Sequence, residues 1–541
     1  MAGLPRGPAA SPGSLCSLCA RSLVSDHGRA RLELRRVPDS LLPLLLGAAL
    51  RGDRPLVAGD LVRSWPFPVL DLAQVLAWGR AAGLAQPSAP CMQACISALT
   101  RRRGKRGAGG DDDEEEAMEE AEGPEGRGGP RSPCALRLLD LTGLPDEETE
   151  TALRRTMNSW SRSVALAKAV LDVTAGGKHK REAVDGPGSP PRPPTRRRRV
   201  VLHANLLVNA SSYETLLAAL QSSGRAGSAL GLRCRDLRVE ELSLRRLCRL
   251  LEALEALEAR EPALCKLDLG FNNMGVRGLA ALLPRLARFP RLRSLSLAYS
   301  NVDVRRLAQG TPERGEEAFG RVAEALASLG ALRELNLEAS RLSDRVHQLL
   351  ADIAPLESLG LAYCSLTPGD MTSLTASHHT ESLRCLDISG SNLGQLIPGL
   401  CSLLGRTTAR LQELSLIGCG LADHHIPALL AALPACQALQ QLRAQNNPLS
   451  LQALLQLTTC LASLPGLQAF YYPVPLECYV SGLAANPLAD QLLEHPVQLD
   501  SHARAHSDLS SVFVSLGKRD VLLSTTLYPT TIHAYGNVSL S

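Results

Sequence analysis

Leucines recur through the C-terminal half of the chain at a fixed spacing. From Leu264 the sequence reads LCKLDLGFNNM, apolar at its first, fourth, sixth and eleventh places. The same frame returns at Leu292 (LRSLSLAYSNV), Leu332 (LRELNLEASRL), Leu356 (LESLGLAYCSL), Leu383 (LRCLDISGSNL), Leu411 (LQELSLIGCGL) and Leu439 (LQQLRAQNNPL). The starts are 28, 40, 24, 27, 28 and 28 residues apart. A further 28 reaches Leu467, where LQAFYYPVPL keeps the spacing and loses the leucines. Two leucines two residues apart face one side of a short strand, and the intervening residues face the other. Between the strands, GLAALLPRLARF (Gly278–Phe289) and HIPALLAALPAC (His425–Cys436) have helical apolar spacing. Each period therefore predicts one strand and one helix.

This is the frame of a leucine-rich repeat. Its ninth place holds Asn272, Ser300, Ser340, Cys364, Ser391, Cys419 and Asn447, small side chains suited to turning inward and bonding the backbone of adjacent coils. A period near 28 leaves room for a whole helix, so the expectation is a curved α/β solenoid of the ribonuclease-inhibitor type, with a parallel inner sheet and outer helices. The 40-residue interval contains an insertion centred on QGTPERGEE (Gln309–Glu317), expected as a surface loop that is either merely tolerated or used for binding. Upstream, LRLLDLTG, VVLHANLLVN and ALGLRCRDL read as further strands and MNSWSRSVALAKAVL (Met157–Leu171) as a helix, so the solenoid is expected to start near residue 135. Two low-complexity tracts interrupt this half. One is a charged insert at 101–131, running from RRRGKRGAGG into DDDEEEAMEE, and the other a Pro-rich basic loop at 176–199. Leu509–Pro529 reads as a helix end, a turn at Gly517 and a last strand that caps the array. Residues 1–100 form a helical segment ahead of it.

Composition narrows the class. The 541 residues are 45% hydrophobic but only 3% aromatic, so the core is aliphatic. The rings read as concentrated where the repeat is broken, with Trp65 and Phe67 in SWPFP and Phe470, Tyr471, Tyr472 and Tyr479 near the last repeat. A net charge of +4 argues against a nucleic-acid-coating protein. The longest apolar run, near Leu41–Leu50, is too short for a bilayer span, and no secretory signal is visible. Fifteen scattered cysteines fit a reduced compartment. No phosphate loop, nucleophile elbow or metalloprotease motif occurs, so no catalytic residue, metal or cofactor is assigned. The pairs His378–His379 and His424–His425 read as polar loop histidines, and Cys16-x-x-Cys19 lacks a second pair with zinc spacing.

The N-terminal helix carries more information. In SLCSLCARSL, Ser14 is placed to cap the helix, and Leu15, Cys19 and Leu23 recur every four residues along one face. A small thiol between leucines suits a helix laid in a partner's apolar groove. The spacing resembles the BC box through which cullin-2 substrate receptors bind elongins B and C, and Val37, Pro38 and Leu41 resemble the start of a cullin-2 box. An amphipathic helix capping the solenoid has the same pattern. In the basic tract, Lys178, Lys180 and Arg181 precede Arg196, Arg197, Arg198 and Arg199 across a Pro-rich spacer, the pattern of a bipartite nuclear-import signal and equally of a solvated charge run.

Together, VRSWPFPVLDLAQVL (Val62–Leu76), LRLLDLTG, LRCRDLRVEEL (Leu232–Leu242), LDLGFNNMGVRGLAALLPRLARF (Leu267–Phe289) and FYYPVPLECY (Phe470–Tyr479) resemble the PRAME family from about residue 14 to 530. The acidic tract at 105–130 departs from that family. The resemblance implies a non-catalytic substrate receptor of a cullin-2 RING ubiquitin ligase. Ser14, Leu15, Cys19 and Leu23 would meet elongin, and Val37, Pro38 and Leu41 would meet cullin-2. Relatives that repress transcription or NF-κB signalling imply an alternative, a scaffold that acts without ubiquitylation. In either case an unidentified protein partner would lie on the inner sheet, where Lys266, Asp268, Ser294, Ser296, Glu334, Asn336, Glu413, Ser415, Gln441 and Arg443 point outward. Neither nucleic acid nor membrane is an expected partner, and the expected compartment is the cytoplasm, with the basic tract allowing the nucleus.

Overall fold

A computed structural model describes residues 15–34, 36–77, 87–101, 135–144, 157–182, 199–225, 228–307, 312–484 and 487–526. The chain divides into two compact units, Met1–Leu237 with Glu252–Ala263, and Arg238–Leu251 with Leu264–Ser541.

The first unit opens with four helices, α1 (Leu15–Ser25), α2 (His27–Glu33), α3 (Leu42–Arg51) and α4 (Pro55–Arg63). Strand β1 (Val69–Asp71), α5 (Leu72–Ala77) and α6 (Ala89–Arg101) come next, then β2 (Leu138–Asp140), α7 (Ser159–Glu182), β3 (Val200–Val208), α8 (Tyr213–Ser223) and β4 (Leu230–Val239). The strands lie side by side in chain order. Leu70, Leu139 and Leu202 stand in register through parallel pairing of β1 with β2 and β2 with β3. The sheet of this unit thus begins at Val69, well before residue 135, inside the segment read as purely helical. Val69–Asp71 lacks the repeat frame; it becomes a strand because β2 supplies its hydrogen-bonding partner. Beside it Trp65 is fully buried, its indole N–H donating to Val69 O at 3.1 Å and its ring meeting Phe67 edge-on at 5.6 Å.

The basic tract also differs from expectation. Helix α7 runs on through Gly176 and Gly177 to Glu182, so the first third of the expected loop is helical. Glycine inside a helix costs only about 1 kcal/mol.

The second unit, after α9 (Leu244–Glu258), repeats one plan. Strands β5 (Lys266–Asp268), β6 (Ser294–Ser296), β7 (Glu334–Asn336), β8 (Ser358–Gly360), β9 (Cys385–Asp387), β10 (Glu413–Ser415), β11 (Gln441–Arg443) and β12 (Ala469–Tyr471) lie parallel in order. Their helices are α10 (Gly275–Leu282), α11 (Pro312–Ala327), α12 (Val346–Leu350), α13 (Pro368–Ala376), α14 (Leu393–Arg406), α15 (Ile426–Ala432) and α16 (Leu451–Ala462). The fourth-place leucines, Leu267 through Leu442, and then Phe470 form one buried column. The ninth-place side chains are buried too. Asn447 Nδ2 donates to Leu416 O and Ala444 O at 2.8 Å, and its Oδ1 accepts from Leu421 N at 2.9 Å. Asn272 bonds Val239, Leu269 and Leu242 in the same way.

Of the stretch read as a surface loop, residues 308–311 lie outside the described residues, and the part from Pro312 is helix. This is α11, in which Ala318, Phe319, Val322, Ala325 and Leu326 are buried at helical spacing. Pro312 suits a first helical turn, where its missing N–H is not needed. The C-terminal cap agrees with the reading from sequence: α17 (Ala489–Glu494), α18 (Leu499–Ser515), a left-handed Gly517 (φ 77°) and β13 (Leu522–Ser524), which pairs parallel with β12.

Candidate functional site

Helix α1 has two unlike sides. Ser17, Ala20 and Val24 are buried, and the helix packs on α3. Leu15 is 76% exposed, Leu18 53%, and Cys16 and Cys19 are exposed, while Leu23 is half-buried. Leu15, Cys19 and Leu23 therefore succeed one another along the uncovered side, and Leu18 adds an apolar residue that the four-residue spacing missed. Ser14 lies outside the described residues. Helix α2 is capped by Asp26, whose carboxylate accepts from Arg29 N at 3.2 Å. It is tied to α4 by His27 and Asp60 at 2.8 Å, and its Leu32 is 72% exposed. Pro38 is exposed and leads a single 3₁₀ turn, Asp39–Leu41, into α3; Val37 is half-buried and Leu41 36% exposed. This stretch offers a row of apolar side chains on a helix anchored by its other side.

On the strands of the second unit, the ten positions read from the repeat frame fall into two registered rows. Lys266, Ser294, Glu334, Glu413 and Gln441 lie in one row, completed by Ser358 and Cys385. Asp268, Ser296, Asn336, Ser415 and Arg443 lie in the other, completed by Gly360 and Asp387. The rows are not uniformly open, since Asn336 and Ser415 are buried. Asn336 Oδ1 accepts from Glu338 N at 2.9 Å, and Ser415 shares a 2.9 Å hydrogen bond with Ser389. At the C-terminal end Arg443 sits over the Tyr471 ring at 5.6 Å and donates to Gln441 Oε1 at 2.9 Å. Burial pushes the Glu413 carboxyl above its usual range, against the opposing pull of Arg443.

One set of residues was missed. The eighth place of every regular repeat adopts the left-handed conformation: Phe271, Tyr299, Ala339, Tyr363, Gly390, Gly418 and Asn446 all have φ between 54° and 68°. Three of these are bulky rings, each between 42% and 53% exposed. A side chain with Cβ is disfavoured there by about 1–2 kcal/mol, and for a bulky residue the conformation is a clear outlier. The rings of this chain thus do not gather only where the repeat is broken. The available signal was positional, three of seven eighth places being aromatic in a chain with so few rings.

These features match known proteins over most of the chain. The model of the PRAME C-terminal domain matches residues 207–531. The chain belongs to the PRAME family. Leucine-rich repeat-containing protein 14 of Xenopus laevis is 38% identical over 95% of this chain and 98% of its own length, and that of Homo sapiens is 35% identical over 95% and 98%. A leucine-rich repeat-containing protein of Legionella pneumophila, LegL7, is 16% identical in sequence; the superposition covers 58% of this chain and 90% of that one, with a TM-score of 0.33.

The matched PRAME domain contains both strand rows and the three rings, whereas α1 precedes it. This PRAME-family chain is a leucine-rich-repeat scaffold. The residues of the basic tract fall in different places. Lys178, Lys180 and Arg181 belong to the last turns of α7, and Arg196, Arg197 and Arg198 lie outside the described residues. Arg199 has a structural role instead: it donates to Ser223 O at 2.7 Å with its guanidinium against Gly231, and burial lowers its pKa. The histidine pairs are not simple loop residues either. His379 is fully buried, its Nδ1 accepting from Leu356 N at 3.2 Å and its Nε2 lying 3.0 Å from Leu350 O, and His425 Nδ1 accepts from Ala422 N at 3.0 Å. Among the described residues no three or more His, Cys, Asp or Glu side chains are grouped to hold a metal ion, and no helix is long and apolar enough to cross a membrane.

Proposed function

We propose that this chain is a non-catalytic substrate-recognition subunit of a cullin-2 RING ubiquitin ligase. In this reading α1 docks on elongins B and C, the Val37–Leu41 turn contributes to cullin-2, and the strand face of the second unit presents a protein target. One observation carries the reading. Leu15, Leu18 and Cys19 remain exposed on a helix whose Ser17, Ala20 and Val24 are already buried, so a partner's groove can take the open side without disturbing the fold. The chemistry belongs to the ligase; this subunit contributes proximity, holding its target at high effective concentration near the charged ubiquitin.

The test is co-purification with elongins B and C, comparing the native chain with a Leu15→Ala/Cys19→Phe variant. Both side chains are exposed, so the variant keeps its fold. Capture by the native chain and its loss in the variant are expected. Absent capture, or capture that the variant leaves unchanged, rejects the adaptor role. It would favour the alternative, a scaffold that restrains a transcriptional or NF-κB signalling partner through the strand face alone.

A further inference from the structure

Three rings stand where the backbone resists them and where solvent reaches them. Phe271, Tyr299 and Tyr363 are exposed and left-handed at once, so neither core packing nor local conformational preference accounts for their presence. Two later repeats place Gly390 and Gly418 in the same position, which suits the conformation without a ring. The rings nonetheless have defined neighbours. Phe271 stacks on Tyr299 with centroids 4.5 Å apart and planes at 10°, the Tyr299 hydroxyl donates to Glu338 Oε1 at 3.1 Å, and the Tyr363 ring fills the space a Cβ on Gly390 would take. They form a ledge along one edge of the strand rows.

Charge states what the ledge receives. The third, fifth and seventh places of the repeats carrying β5 to β9 hold Asp268, Glu334, Glu338 and Asp387 against a single base, Lys266. Arg293, Arg333 and Arg384 stand at second places; Arg333 donates to Gly330 O and Leu332 O, and Arg384 is engaged with Glu357 at 3.5 Å. Glu338 is half-buried, and burial together with Asp387 and Asp268 pushes its carboxyl above the usual range, so an incoming cation would relieve it. Ring faces and carboxylates share one preference, for positive charge. A polyanion such as RNA would meet the carboxylates of Glu338 and Asp387 beside the rings.

We propose that this face binds an extended, basic segment of a protein partner, with Lys or Arg side chains laid over Phe271, Tyr299 and Tyr363 and paired with Glu338 and Asp387. From β5 to β9 there are four strand spacings of roughly 4.8 Å, about 19 Å in all. An extended chain covers that in about six residues. The inference deepens the adaptor reading by naming the class of its target, and rests on that reading only for the ubiquitin transfer that binding would serve.

The test is fluorescence anisotropy of the full-length chain with a labelled peptide of about ten residues, alternating Arg and Ala, against the same peptide with Glu in place of Arg. The basic peptide binds and weakens as salt rises; the acidic one does not bind. Glu338→Gln/Asp387→Asn weakens binding about tenfold, as expected of close charge pairs. Phe271→Gly/Tyr299→Gly/Tyr363→Gly weakens it at least as much while leaving the melting temperature unchanged or raised, because glycine relieves the left-handed strain. That combination separates a binding surface from a folding defect. Equal binding of the acidic peptide, or unaltered binding by either variant, overturns the proposal. Elongin capture measured on the same preparations keeps the two readings apart. Peptide binding lost with capture intact rejects this inference alone, and capture lost with peptide binding intact rejects only the adaptor role.

Discussion

Replacing Asn447 by alanine tests the packing between coils. Its side chain is fully buried and makes the only hydrogen bond described for Leu421 N, Leu416 O and Ala444 O; a fourth partner, Gln445 O, also accepts from Gly418 N at 3.1 Å. Alanine leaves three buried backbone groups unpaired, at about 1–3 kcal/mol each. Carbonyls tolerate this better than N–H groups, so the expected total is about 3–5 kcal/mol. Ser391, at the same place two repeats earlier, is the control. It is equally enclosed, but its hydroxyl has no hydrogen-bond partner among the described residues, so Ser391→Ala should cost roughly 0.5 kcal/mol or less. In a stack of coils each held by its neighbours, loss of one link opens the array locally before it lowers a global melting point. The suitable assay is therefore amide hydrogen exchange at Leu421. At about 1.4 kcal/mol per decade, protection there should fall by about two to three and a half orders of magnitude in Asn447→Ala. Unchanged exchange at Leu421, or equal costs for the two substitutions, would refute the reasoning.

Three further outcomes are expected from the described contacts. Phe319→Ala empties a buried position in α11 (Phe319 is 2% exposed) and should cost about 3–5 kcal/mol in denaturant unfolding; a negligible cost would mean that the insertion does not pack. Burial, opposed in part by its bond to Leu350 O, lowers the pKa of His379. The unfolded chain then takes up the proton more readily, so this contribution is complete above a pH of about 6.5 and declines as pH falls below it. Melting curves at neutral and mildly acid pH should show that slope, reduced in His379→Gln, and an equal slope in both proteins would exclude His379 as its source. Iodoacetamide should label the exposed Cys16 and Cys19 before the buried Cys95, Cys364 and Cys419, whose thiols burial pushes up to about 12; mass spectrometry showing comparable labelling would contradict the packing described.

Periodicity alone determined much of this protein. A two-residue alternation assigns Leu267 and Leu269 to the core and Lys266 and Asp268 to the other face. Repetition every 28 residues stacks those faces into rows, and Gly517 marks the turn before the last strand. These signals are local and repeated, so each coil reports the same answer. Only the tertiary structure decided the rest, because there the deciding partner lies far along the chain. Val69–Asp71 is a strand because β2 pairs with it, and Arg199 is a structural residue because Ser223 O and Gly231 receive its guanidinium. Pro312–Glu317 is helix because α11 buries Phe319 one turn further on. Which side of α1 stays open depends on its packing against α2 and α3, with Ser17, Ala20 and Val24 buried. The left-handed turn after each strand is imposed by closing the coil, whatever residue stands there, and that is why Phe271, Tyr299 and Tyr363 stand outward as a ledge.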